Sequence, residues 1–142
     1  MVDFEADPEA GPYDGPVRDR DAMIAGMEPV ARPGAVAFVA LGAGWEAHLA
    51  EARAVVREEE GVTLVLPLAH PAVPGSALPM RQITLNVHSA LDGVGLTAAV
   101  AEALASADIP CNVIAGFHHD HLFVPAGDAD RAVAILQARA AR

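Results

Sequence analysis

Arg81-Gln82-Ile83-Thr84-Leu85-Asn86-Val87-His88 alternates apolar and polar side chains: Ile83, Leu85 and Val87 fall on one face, Gln82, Thr84, Asn86 and His88 on the other. A period of two marks a strand with one buried face. Downstream the period changes. Across Thr97–Ala107, with alanines between, Leu96, Val100 and Leu104 stand four apart, which predicts a helix. Ser89-Ala90-Leu91-Asp92 has the spacing of a capping box at its start. Ile109–Ala115 reads as a strand, Gly116 as a turn, His118–Val124 as another strand, and Gly127-Asp128 opens a last helix with Ala129, Val133 and Leu136 on its buried stripe.

The first half echoes this order. Met23, Ile24 and Met27 suit one helical turn, and Ala35–Leu41 is an apolar run of strand length between Pro33-Gly34 and Gly42. Trp45–Glu51 suits a short helix. Ala54–Arg57, the turn Glu58-Glu59-Glu60-Gly61 and Val62–Pro67 form a hairpin pattern. His70–Pro79, with three prolines, reads as a loop. Strand, helix, strand, turn, strand thus occurs twice, a weak internal repeat. The expected class is α+β: two tandem ferredoxin-like βαββαβ units, antiparallel sheets with helices on one face. The expected division is an acidic, flexible leader over residues 1–22, a first unit over 23–79 and a second over 80–142.

Composition narrows the chemistry. The 142 residues are 53% apolar and 20% charged, a globular balance. All nine basic side chains are arginine, which excludes a phosphate-loop lysine and a Schiff-base lysine. A net charge of −10, about half of it from the seven acidic residues of Met1–Asp21, disfavours nucleic acid and anionic membranes. One cysteine, Cys111, excludes an internal disulfide and a cysteine zinc site, and no apolar run has the length of a membrane span. The expected setting is cytoplasmic.

Three groups of residues can carry chemistry. Phe117-His118-His119-Asp120-His121 places His119 and His121 on one strand face, and His88 on a neighbouring strand can join them at a metal; the plainer alternative is a solvated strand start. Asp120 at the head of a central strand needs a partner, either a ligand's ammonium or guanidinium group or a salt bridge such as Arg81. Gly93 and Gly95 before a helix let backbone N–H groups approach a small carboxylate, or simply ease a tight turn. Nucleophiles are poor: Cys111 sits in an apolar strand, and His88 and Ser89 point to opposite faces. Glu58-Glu59-Glu60 suits an exposed turn better than a metal or base cluster, and Trp45 suits packing.

Ile83-Thr84-Leu85-Asn86-Val87-His88-Ser89, Val94–Val100, Cys111–Gly116 and His119–Pro125, with the earlier Glu60–Pro67, together resemble the small stand-alone bacterial ACT-domain proteins. Related modules sit in aspartate kinases and in the eukaryotic cytosolic arginine sensors, where amino acids bind between ACT units. The resemblance implies two tandem ACT units and a non-catalytic role. It implies that a ligand carboxylate meets Ser89 and Gly93-Val94-Gly95, that its amino group meets backbone around Cys111, Asn112 and Val113, and that a side-chain charge reaches Asp120. The first half has Gly42-Ala43-Gly44-Trp45 in the equivalent loop and Val62 where Asp120 falls, so an equivalent second site lacks its acid. The expected function is regulatory amino acid binding by a homodimer without a cofactor. A metal enzyme built on His88, His119, Asp120 and His121, or a docking module without a ligand, are the rivals.

Overall fold

The computed structural model describes residues 15–142. In chain order the elements are α1 (Arg20–Ala25), β1 (Pro29–Ala31), β2 (Val36–Leu41), a 3₁₀ turn (Trp45–His48), β3 (Ala54–Glu58), β4 (Gly61–Pro67), β5 (Met80–Leu85), α2 (Leu96–Ala105), β6 (Asn112–Ala115), β7 (Asp120–Pro125), a second 3₁₀ turn (Ala126–Asp128) and α3 (Ala129–Ala140). They fall into two compact units. Val36–Leu78 belong to the first; Pro16–Ala35 and Pro79–Arg142 make the second.

In the first unit β4 lies between β2 and β3, antiparallel to both, with Val36 opposite Pro67 and Ala54 opposite Val65. Val39, Leu64 and Leu66 form its small core, and Trp45 packs against them, as its size suggested. Arg57 lies over the Trp45 ring, 5.4 Å from its centroid. The β3–β4 turn is tight because Gly61, at φ 149°, takes a conformation that side chains avoid. After β4 the prolines at 71, 74 and 79 interrupt the chain, and His70–Leu78 forms turns rather than a second helix.

The second unit holds an antiparallel sheet in the order β1-β5-β7-β6. Ile83, Leu85, Leu122 and Val124 share one core with Val100 and Leu104 of α2 and with Ala132 and Leu136 of α3. The helices therefore cover one sheet face, as the alternation in β5 predicts. On α3 the buried positions are Ala129, Ala132 and Leu136, with Val133 half-buried at the stripe's margin.

Two expectations change here. Residues 23–35 pack with the second half of the chain rather than the first. Met23, Ile24 and Met27 enter its core, and β1 pairs with β5, Pro29 opposite Leu85 and Ala31 opposite Ile83. Burial of three large apolar side chains decides this over chain order. The acidic leader lies outside the described residues as far as Asp14. Beyond it the backbone is engaged: Val17 donates to the His88 carbonyl at 2.8 Å, and Asp19 caps α1 by accepting from the Ala22 N–H at 2.9 Å.

Candidate functional site

β5 ends at Leu85, three residues before the expected His88, and the chain then turns through Ser89–Gly95 into α2. Val17–Met23 runs beside this connection. The Ala90 N–H donates to the Val17 carbonyl at 2.9 Å, Arg18 Nε pairs with Asp92 Oδ1 at 3.2 Å, and the Met23 sulfur lies against Gly93. The loop is thus held from outside by a segment far away in sequence.

The expected capping box does not form. α2 begins at Leu96, its cap residue is Gly95 in the left-handed region at φ 111°, and no side chain caps it. Asp92 is engaged by Arg18, and Ser89 Oγ donates to Asp120 Oδ2 at 3.3 Å instead. The first amides of α2, those of Leu96 and Thr97, have no intrahelical partner, as at any helix start.

Asp120 opens β7, opposite Leu85 of β5 and Ala115 of β6. It is half-buried and stands at one wall of a cleft of about 310 Å³. The other wall is the Ser89–Thr97 connection, with Met23 and Gly116 completing it. The volume is at the lower end of the usual small-molecule range of about 300–1,000 Å³. The cleft therefore presents a carboxylate, a hydroxyl and an uncapped helix start to the same space, a set suited to a small ligand with both a cationic and an anionic end.

Of the residues singled out from the sequence, Ser89, Gly93, Val94, Gly95 and Asp120 line this cleft. Cys111, Asn112 and Val113 do not. They lie at the opposite end of β6 from Ala115 and Gly116, which do line it. Burial pushes the Cys111 thiol up from its usual range, consistent with a packing role. Arg81 is not the partner of Asp120: it lies opposite Val124 and pairs with Asp130 at 3.9 Å. Thr97 and Met23 were missed. Thr97 follows the glycines in the first turn of α2, a local signal; Met23 carries none, because only the folded chain brings it there.

The histidines separate into different surroundings. His119 Nδ1 lies 3.3 Å from the Val87 carbonyl oxygen. The His88 and His118 rings are 5.3 Å apart, with exposed Phe117 beside them. His121 Nδ1 is 3.1 Å from both Gln82 Nε2 and Thr84 Oγ1, and that hydroxyl accepts from Arg32 Nε at 3.0 Å. Burial above all, then the charges of His119 and Arg32, lower the His121 pKa, with Asp120 opposing. Among the described residues no group of three or more His, Cys, Asp or Glu side chains is placed to hold a metal.

A family model described as the ACT domain matches residues 78–138. No curated protein matches the chain. A Vibrio cholerae protein of unknown function, described as a possible transport protein, is similar at 37% identity and a TM-score of 0.72, over 82% of this chain and 92% of its own. A protein from Agrobacterium tumefaciens is similar at 21% identity and a TM-score of 0.62, over 79% of this chain and 87% of its own. The ligand-free regulatory subunit of aspartate kinase from Thermus thermophilus has a TM-score of 0.61 at 13% identity, over 81% of this chain and 97% of its own, a likeness of fold. With an antiparallel sheet covered on one face by helices, and with these matches, the chain belongs to the ACT-domain family and shares its fold with aspartate kinase regulatory domains.

Proposed function

We propose that this protein is a non-catalytic regulatory module that binds a free amino acid or a close analogue in the Asp120 cleft. The observation that carries the reading is the convergence of Asp120, Ser89 and the uncapped start of α2 on one cleft of about 310 Å³. Such a site meets an ammonium with a carboxylate and a carboxylate with backbone donors. The β-3₁₀-β-β order of the first unit supports reading it as a shortened second ACT unit, which completes the tandem arrangement. A homodimer is part of the proposal: within its unit β6 has β7 as its one neighbour, and exposed sheet edges are commonly covered by a partner. Among the described residues no helix is long and apolar enough to cross a membrane, in keeping with the proposed cytoplasmic setting.

The test is a thermal-shift screen of the wild-type protein and Asp120→Ala against the twenty L-amino acids. At a hundred times its dissociation constant a ligand adds ~2.7 kcal/mol to stability. The expected result is a shift by one amino acid or a related few, lost in Asp120→Ala. A flat screen in the wild-type protein overturns the proposal.

A further inference from the structure

Arg20 is the first residue of α1, and it lies across the loop that forms the cleft. A β-carbon placed on Gly95 would stand 2.7 Å from Arg20 Cδ, 2.9 Å from Cγ and 3.0 Å from Nε. The stem of Arg20 therefore rests on Gly95, itself a residue that lines the cleft. Its neighbours are committed: Arg18 pairs with Asp92, and Asp19 caps α1. Among the described residues the Arg20 side chain makes no hydrogen bond or ion pair. Across the cleft Asp120 accepts from Ser89 Oγ and, among the described residues, has no cationic partner either. The two unmatched charges are not paired with each other.

We propose that Arg20 anchors the carboxylate of the cleft's ligand, so that the site selects molecules bearing a carboxylate and a cationic nitrogen together. The inference rests on the amino acid-binding reading above and sharpens it. Guanidinium suits this task because its planar fork meets a carboxylate with two parallel N–H donors. A carboxylate without a cationic end leaves Asp120 unmatched, and an amine without a carboxylate leaves Arg20 unmatched. Free amino acids satisfy both; amino acid amides and des-amino acids satisfy one each. Gly95 acquires a second reason to be glycine, since any side chain there displaces Arg20.

The probes are the twenty L-amino acids and their C-terminal amides, titrated by calorimetry into the wild-type protein, Arg20→Ala, Arg20→Lys and Arg18→Ala. In the wild-type protein the best amino acid is expected to bind about 10- to 100-fold more tightly than its amide, the worth of charged hydrogen bonds. In Arg20→Ala that ratio falls about tenfold, to what the backbone donors at the start of α2 supply, Arg20→Lys restores part of it, and Arg18→Ala keeps it. Arg20 is exposed, so its variants are expected to melt with the wild-type protein when no amino acid is present, which separates lost anchoring from lost folding. If Arg20→Ala binds the amino acid and rejects the amide as strongly as the wild-type protein does, the assignment of Arg20 is overturned while the functional reading stands. If the wild-type protein binds no amino acid, both fall.

Discussion

Met27→Ala tests whether the N-terminal segment belongs to the second unit. Met27 is 0% exposed and sits in one core with Ile24, Leu85 and Leu136. Truncating a fully buried methionine costs about 2–5 kcal/mol, the transfer of its lost atoms plus the cavity they leave. Each kcal/mol lowers the melting point of a unit of this size by about 4–8 °C, so a drop of at least ~8 °C is expected. The control is Val55→Ala on β3, where the side chain is 41% exposed and the change should stay within about 0.5 kcal/mol. Circular dichroism at the helix band and calorimetry read both variants against the wild-type protein. A chain shortened to begin at Glu28 goes further, because it loses Met23, Ile24 and Met27 together. At about 1.5–3 kcal/mol each, that approaches the whole stability of an ordinary domain, about 5–15 kcal/mol, and the second unit should lose its cooperative transition. If Met27→Ala melts as close to the wild-type protein as Val55→Ala does, the packing of this segment is refuted.

A lowered His121 pKa makes stability depend on pH. The unfolded chain takes up its proton near the ordinary value of about 6.5 while the folded chain resists it, so this contribution is complete above that pH and drains away below it, down to the folded-state pKa. The difference in unfolding free energy between the wild-type protein and His121→Gln should therefore change as pH falls from about 7 to about 5, with the variant less sensitive; parallel curves contradict this. Gly61→Ala should cost about 1–3 kcal/mol, since its φ is 149° and a β-carbon would stand 2.9 Å from the Leu41 carbonyl oxygen. Gly75→Ala, with nothing within 4 Å of the added carbon, is the comparison, and equal melting of the two would refute the strain. Cys111 should react with a thiol-specific disulfide reagent more slowly than free glutathione at mildly alkaline pH, because burial raises its pKa; an equal rate would contradict its packing role.

What the sequence disclosed follows the range of the forces involved. The alternation through Ile83 and Leu85, the spacing of Leu96, Val100 and Leu104 and the hairpin around Gly61 are local patterns, and each became an element of the predicted type, although the strand stops at Leu85, short of Val87 and His88. Pairing across about fifty residues left almost no local trace. β1 is only Pro29–Ala31, too short to alternate, and its pairing with β5 is legible only in three dimensions. The cleft divides in the same manner. Its glycine loop and Asp120 were legible as chemistry out of place, flexible backbone before a helix and a carboxylate heading an apolar strand. Met23 and Arg20 were not, because they reach the loop from a segment with no sequence relation to it. The capping box failed for a related reason: its spacing was right, but Ser89 and Asp92 found better partners in Asp120 and Arg18.

The pairing of β1 with β5 also bears on the order in which the chain acquires its structure. Closing Ala31 onto Ile83 in an open chain spans about fifty residues, but the first unit closes Val36 onto Pro67 on its own. That shortens the effective loop to about twenty residues, a little over one halving, and lowers the closure entropy by roughly 0.8 kcal/mol. Early β2–β4 pairing therefore speeds completion of the second unit's sheet by about fourfold if the loop closes in the rate-limiting step. During synthesis the segment with Met23, Ile24 and Met27 emerges well before the strands and helices that bury it, so those side chains remain open to non-native contacts until translation has passed Leu136.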